Sequence, residues 1–104
     1  MPTPAKILVI LVVETDMWND IPLYEAICRR LVKLNAPGAT VTTGIMGFGT
    51  NLRLHGKHLF GVSDDKPVQI TVVDSEVNLR EHIIPAIRPM VTEGLVFLVD
   101  VEIV

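Results

Sequence analysis

Cysteine occurs once in these 104 residues, at Cys28, and aromatic side chains number five: Trp18, Tyr24, Phe48, Phe60 and Phe97. A single thiol excludes an internal disulfide framework and fits a reducing, cytoplasmic setting. A surplus of positive charge is also missing, since nine Lys and Arg stand against twelve Asp and Glu for a net charge of −3. General nucleic-acid binding needs a basic surplus to displace counterions from phosphate, so no nucleic-acid partner is expected. Long apolar runs are absent as well. The longest, Ile7–Val13, has seven residues, far below the ~20 that cross a bilayer, and direct membrane insertion is not expected. It is preceded only by Lys6 and followed by Glu14 and Asp16 without a small-residue cleavage site, so it reads as a buried strand rather than a signal-peptide core.

What the chain has in excess is apolar side chains: 49% of residues are hydrophobic and the mean hydropathy is +0.45. That composition excludes a disordered chain. The length suits one domain, residues 1–104, and is too short for two.

Ala5–Val13 is Ile- and Val-rich between Pro4 and Glu14 and is predicted as a first strand. A polar connection follows, in which Asp20 is placed to cap a helix and Pro22 to sit in its first turn. Leu23, Ile27, Leu31 and Leu34 recur at helical spacing with Arg29, Arg30 and Lys33 outside, and the helix is expected to run to about Asn35 and stop at Ala36-Pro37-Gly38. Ala39–Met46 is a second strand and Val68–Val73 a third. Ser75 caps a second helix whose inward face is Leu79, Ile83, Ile87, Met90 and Val91. Gly94 is its expected stop, and Pro85 and Pro89 should distort it. Leu95–Val104 is the fourth strand, with Asp100 and Glu102 alternating against Val99, Val101 and Ile103.

The order β-α-β-β-α-β is the split-βαβ, ferredoxin-like arrangement of an α+β domain: a four-stranded antiparallel sheet with two helices on one face. Strands one and three should be central. Strand one is apolar at every position from Ile7 to Val13, so it wants cover on both faces, while the helices supply cover for one. Further copies of the chain are the most economical second cover, and a closed homo-oligomer with packed sheets is expected.

Gly47–Pro67 is a 21-residue connection with four glycines and no apolar periodicity, a length that in a compact domain usually accompanies function. From Gly47 to Ser63 it holds Arg53, Lys57, His55 and His58 and no acid; with −3 overall and +2 here, the remainder carries −5. Glycines allow close backbone approach to a ligand, and Arg and Lys supply donors for phosphate or carboxylate oxygens. The same residues also fit a solvated loop that is simply basic. His55 and His58 stand at H-x-x-H spacing, yet no Cys or carboxylate cluster lies nearby in sequence to complete a metal site. His82 reads as a boundary residue and Cys28 as a structural thiol. Glu14 and Asp16 read as capping and solvation groups. No nucleophile motif, phosphate-binding loop or zinc-protease signature is present, so no enzymatic activity is expected. An RNA-recognition motif shares this element order but needs aromatics on its central strands, where this chain has none.

Gly38-Ala-Thr40-Val41 leading through strand two to Gly47-Phe48-Gly49 resembles the start of the long T-loop of PII signalling proteins. The chain is still more similar to a smaller PII-like family of unknown function. The similarity rests on Trp18, Pro22-Leu-Tyr24-Glu-Ala-Ile27, Gly38-Ala-Thr-Val41, Gly44-Ile-x-Gly47-Phe-Gly49, Arg53-x-His55, Ser63-Asp-x-x-Pro67 and Glu93-Gly-Leu95, and spans nearly the whole chain. PII proteins are trimers of this fold that bind adenine nucleotides in clefts between subunits and regulate partner proteins through the loop. The resemblance therefore implies a cytoplasmic, non-catalytic homotrimer that senses a small nucleotide-like ligand and acts on a regulated protein such as a transporter. Two departures bear on the ligand. Thr50 stands where PII proteins carry Arg, and the junction Thr92-Glu-Gly94 replaces their Gly- and Lys-rich phosphate-gripping turn. AMP or another small adenine nucleotide fits better than ATP held in the PII manner. The expected ligand contacts are Gly47 and Gly49 by backbone approach, Arg53 and Lys57 to the anion, and His55 and Ser63 by hydrogen bonds. The alternative reading is a metal-binding trimer resembling the CutA proteins, resting on His55 and His58 alone.

Overall fold

The computed structural model describes residues 2–47 and 66–104. Strand β1 is Thr3–Val13; the short strands β2, Met17–Trp18, and β3, Ile21–Pro22, lead into helix α1, Leu23–Lys33. Strands β4, Thr40–Thr43, and β5, Pro67–Asp74, follow. The second helix, residues 76–90, is a composite of α2, Glu76–Asn78, a π-helical stretch Leu79–Ile83, α3, Ile84–Ile87, and a 3-10 turn Arg88–Met90, before strand β6, Leu95–Ile103. The main sheet has the order β4-β5-β1-β6, with every neighbouring pair antiparallel. This is the expected ferredoxin-like sheet, with the first and third long strands at its centre.

Register assigns the two faces. Leu8, Ile10 and Val12 of β1 lie opposite Val72, Ile70 and Val68 of β5, and all six are fully or almost fully buried. They share one core with Leu23, Ala26, Ile27 and Leu31 of α1 and with Leu79, Ile83, Ile87, Met90 and Val91. Every inward residue expected on the second helix is buried. The other face carries Ile7, Val9 and Leu11, which lie opposite Val99, Phe97 and Leu95 of β6. Leu95, Phe97, Val99, Ile103 and Val73 are exposed there, and Val9, although buried itself, stands outside the core cluster. Val99 and Ile103 thus face away from the helices, on the side of the sheet that the chain itself leaves open.

The prolines reset the second helix. Pro85 has no N–H and falls in the first turn of α3, where no intrahelical donor is needed. Ahead of it the helix widens, with the Ile84 N–H donating to the Leu79 carbonyl oxygen across a π turn. Pro89 falls likewise in the first turn of the 3-10 segment. Leu79, Ile83 and Ile87 all stay fully buried through these changes, so the inward stripe survives. Ser75 caps as expected, its Oγ accepting from the Asn78 N–H at 3.2 Å.

Three local expectations are corrected. Asp20 does not cap α1. Pro22 occupies the N-cap position with no side-chain bond, and the Leu23 N–H donates instead to the Asp16 carbonyl oxygen at 2.8 Å. The reason is that Met17–Trp18 folds back on Ile21–Pro22 around a two-residue turn, Asn19-Asp20, with Asn19 at φ 48°. Helix α1 ends at Lys33 rather than Asn35, because Asn35 takes a left-handed φ of 58°. The Asn35 N–H then donates to Val32 and the Ala36 N–H to Leu31, the paired bonds of a Schellman stop. Strand β4 ends at Thr43: the Gly44 N–H still donates in register to the Pro67 carbonyl oxygen at 2.7 Å, but Pro67 has no N–H to return the bond. Gly94, for its part, lies four residues beyond the 3-10 turn. A Cβ there would stand 2.4 Å from the Leu11 carbonyl oxygen and 2.9 Å from Val91 Cγ1, so Gly94 is where β6 enters beside β1.

At the opposite end of the sheet an ion-pair network ties β1, β6 and the second helix together. Lys6 Nζ donates to Asp100 Oδ1 and lies 3.7 Å from Glu76 Oε1; Arg80 Nε donates to Glu76 Oε2 at 2.7 Å. The hydrogen bond from Lys6 holds the Asp100 carboxyl below its ordinary value, and that from Arg80, with Lys6 nearby, does the same for Glu76. The bond to Asp100 raises Lys6.

Two outcomes follow. Gly94→Ala should lower unfolding stability by about 3 kcal/mol, read from the urea midpoint, because neither β1 backbone nor Val91 can retreat freely. For the ion pairs, carboxylates depressed in the folded state contribute stability above their unfolded values and lose it as pH falls through the folded ones. The melting temperature should therefore drop on acidification through and below the ordinary carboxylate range, and Lys6→Met should drop less over that range; parallel curves would refute the network's part.

Candidate functional site

The short strand β4 lies at the sheet edge and begins just after the Pro37-Gly38 breaker. Pro37, Gly38, Ala39 and Thr40, with Thr71 and Val73 of β5, line an open cavity of about 400 Å³. Thr40 lies opposite Thr71, which in turn lies opposite Val9. The cavity therefore opens on the helix-free side of the sheet, and Val73 belongs both to its lining and to the exposed apolar face. Its chemistry is neutral: two threonine hydroxyls, the backbone of a short Gly-containing segment, and the apolar surface of Pro37 and Val73. Such a lining can hold a flat, partly apolar ring against Val73 while hydroxyls and peptide groups meet its polar edge. A Cβ placed on Gly38 would meet nothing within 4 Å, so the segment offers free backbone to a ligand.

A second cavity, of about 350 Å³, is lined by Pro4, Ala5, Lys6, Glu76, Asp100 and Val101. Its charged groups already pair with one another, which leaves it less suited to a ligand than the neutral cavity at β4.

Of the residues expected to contact a ligand, Gly47 is described. It is half-buried beside Pro67, where an added Cβ would approach Pro67 Cγ to 3.1 Å. It lies beyond the Thr43 end of β4, whereas the cavity is at the Thr40 end, about 10 Å away along the strand. Within one chain the structure does not bring the two together. Gly49, Arg53, His55, Lys57 and Ser63, together with His58, lie outside the described residues. The residues that do line the cavity were legible in part: Gly38-Ala-Thr40 carried family resemblance, whereas Thr71 and Val73 gave no signal until register set them beside it.

Cys28 is half-buried on α1, and desolvation pushes its thiol up, away from the reactive thiolate. His82 is exposed. Among the described residues no group of three or more His, Cys, Asp or Glu could hold a metal ion, and no helix is long and apolar enough to cross a membrane.

Comparison with known proteins agrees with this architecture. The UPF0166 protein of Aquifex aeolicus is 27% identical over 99 residues, covering 95% of this chain and 92% of that protein. The UPF0166 protein MJ1524 of Methanocaldococcus jannaschii is 31% identical over 100 residues, covering 95% and 91%. Among solved structures, CPII from Thiomonas intermedia K12 bound to ADP, AMP and acetate superposes with a TM-score of 0.71 at 18% identity, over 100% of this chain and 92% of CPII. The apo form of CPII, a nitrogen regulatory PII-like protein, superposes with a TM-score of 0.68 at 19% identity, over 99% and 95%. These likenesses establish a PII-like fold. The model of the DUF190 family, described as "Uncharacterized ACR, COG1993", matches residues 5–103, and the chain belongs to that family.

Proposed function

We propose that this protein is a PII-like regulator, without catalytic activity, that assembles through the helix-free face of its sheet into a closed homotrimer and binds an adenine nucleotide, AMP or ADP, at the rim of that face. The observation that carries the reading is the continuity of the open apolar face with the neutral cavity at β4, joined through Val73. Burying Leu95, Phe97, Val99 and their neighbours against other copies supplies the cover that the helices do not. In such an assembly the Thr40–Thr71 cavity borders the interface, and a neighbouring copy can complete it. The adenine ring lies against Val73 and Pro37, with the Thr40 and Thr71 hydroxyls at its polar edge. Arg53, Lys57, His55 and Ser63 of a neighbouring copy's basic Gly-rich stretch meet the phosphate, with that copy's Gly47 and Gly49 allowing the backbone near it. The ADP and AMP bound to the structurally similar CPII support the ligand class. Binding then alters what the basic stretch presents to a regulated protein in the cytoplasm.

Sedimentation and calorimetry test both halves. The wild type should sediment as a trimer, and Val99→Glu should shift it to monomer by placing a charge in the buried face. AMP or ADP at 100 times its dissociation constant should stabilise the trimer by about 2.7 kcal/mol. Combining Thr40→Val with Thr71→Val should weaken both nucleotides and adenosine at least tenfold. Arg53→Ala with Lys57→Ala should weaken ADP strongly and adenosine little. A monomer at tens of micromolar, or no nucleotide-dependent shift in melting, would overturn the reading.

A further inference from the structure

The β2–β3 hairpin is a built projection. The Val13 N–H donates to Asp16 Oδ2 at 3.0 Å, the Asp16 N–H to the Val13 carbonyl oxygen at 3.0 Å, and the Leu23 N–H to the Asp16 carbonyl oxygen at 2.8 Å. Ile21 packs against the core and the hairpin rests on α1. On this fixed base the tip exposes two large side chains, Met17 at 60% and Trp18 at 39%, and Trp18 is the only tryptophan in the chain. Exposed tryptophan on a rigid support loses little entropy on contact and is enriched where binding energy concentrates.

Along the sequence the charge at the tip is of one sign; across the sheet, Lys66 stands beside Glu14, whose N–H donates to the Lys66 carbonyl oxygen at 2.9 Å. Between Lys6 and Arg29 the chain has no Lys or Arg, while Glu14, Asp16, Asp20 and Glu25 all fall there. Asp16 is committed to the Val13 N–H and Glu25 pairs with Arg29. Asp20 stands exposed in the two-residue turn, and among the described residues no ion pair engages it or Glu14. The hairpin rests on α1, in the helix layer, and so stands on the opposite side of the sheet from Leu95, Phe97 and Val99. Packing of the open sheet face would leave it free.

We propose that the Met17–Trp18 hairpin is a docking tip for an arginine-bearing segment of a partner protein. A guanidinium stacks on the Trp18 indole, where the ring quadrupole attracts a cation, and pairs with the exposed Asp20 carboxylate, while Met17 covers the aliphatic stem of the partner side chain. The negative charge repels nucleic acid and anionic lipid, and it complements a basic peptide. The tip lies apart from the nucleotide cavity at the Thr40 end of β4 and from the open sheet face, while its base meets Lys66 just after the basic stretch.

Because Trp18 is unique, its emission reports the site directly. Titrating the full chain with a synthetic peptide carrying three arginines spaced by glycine should give a saturable change in Trp18 emission. The same peptide with glutamate in place of arginine should give none. With a labelled peptide and anisotropy detection, Trp18→Ala should weaken binding at least tenfold. Asp20→Lys, at an exposed turn position that leaves packing untouched, should weaken it at least tenfold, and Glu102→Gln on β6 should leave it within twofold. Circular dichroism of each variant confirms the fold. Absence of a saturable emission change up to millimolar peptide would overturn the proposal. Equal weakening by Asp20→Lys and Glu102→Gln would do the same, since that is the signature of diffuse attraction to an acidic chain.

Discussion

Strand β1 is apolar on both of its faces, and the chain supplies helices for one. The rest of the structure follows from that imbalance. Leu8, Ile10 and Val12 are sealed under α1 and the second helix, and they organise a core that involves both neighbouring strands. Ile7, Val9 and Leu11 look the other way, beside Leu95, Phe97 and Val99. A sheet whose central strand demands cover on both sides is stable as a lone two-layer domain only at the expense of wet apolar surface. The open face is therefore the dominant unsatisfied surface of the described chain.

The helix layer keeps its half of the core through a compromise in backbone geometry. Pro85 and Pro89 would break a regular helix, and they are accommodated by restarting it twice: once after a π turn, once as a 3-10 turn. Such restarts would normally rotate the inward stripe out of register. They do not here, and Leu79, Ile83, Ile87 and Met90 all remain inside. The close approach at Gly94 then lets β6 enter beside Leu11 with no room for a side chain.

Periodicity made most of this architecture legible. The two inward helical stripes and the central position of strands one and three were readable because apolar spacing reports burial directly. What escaped was local and depended on through-space backbone partners. The Asp16 carbonyl oxygen replaces the expected Asp20 cap, Asn35 stops α1 before the Pro37-Gly38 signal is reached, and β4 stops where its partner Pro67 has no N–H to return a ladder bond. The alternation on β6 was legible as alternation, but not which side faces the helices. Val99 and Ile103 face the open side, which no single-strand pattern can decide without knowing where the helices lie. The cavity was half legible, since Thr71 and Val73 join Gly38 and Thr40 only through the β4–β5 register.

Val73 connects the two surfaces on which the functional reading depends. It is exposed on the open face and also lines the cavity. Covering that face with another copy and filling that cavity with a ligand both change the surroundings of the same side chain and of Thr71 beside it. If assembly completes the cavity, the ligand binds the assembled form more tightly than the separated one, and by linkage it must strengthen assembly by the same factor. In that arrangement the extra apolar surface of a short chain serves two ends, since the face that holds copies together also sets the ligand affinity. The hairpin on the helix side lies off the covered face, so a partner docked at Trp18 would not compete with assembly; its shortest link to the ligand runs through Glu14, whose N–H donates to the Lys66 carbonyl oxygen just after the basic stretch.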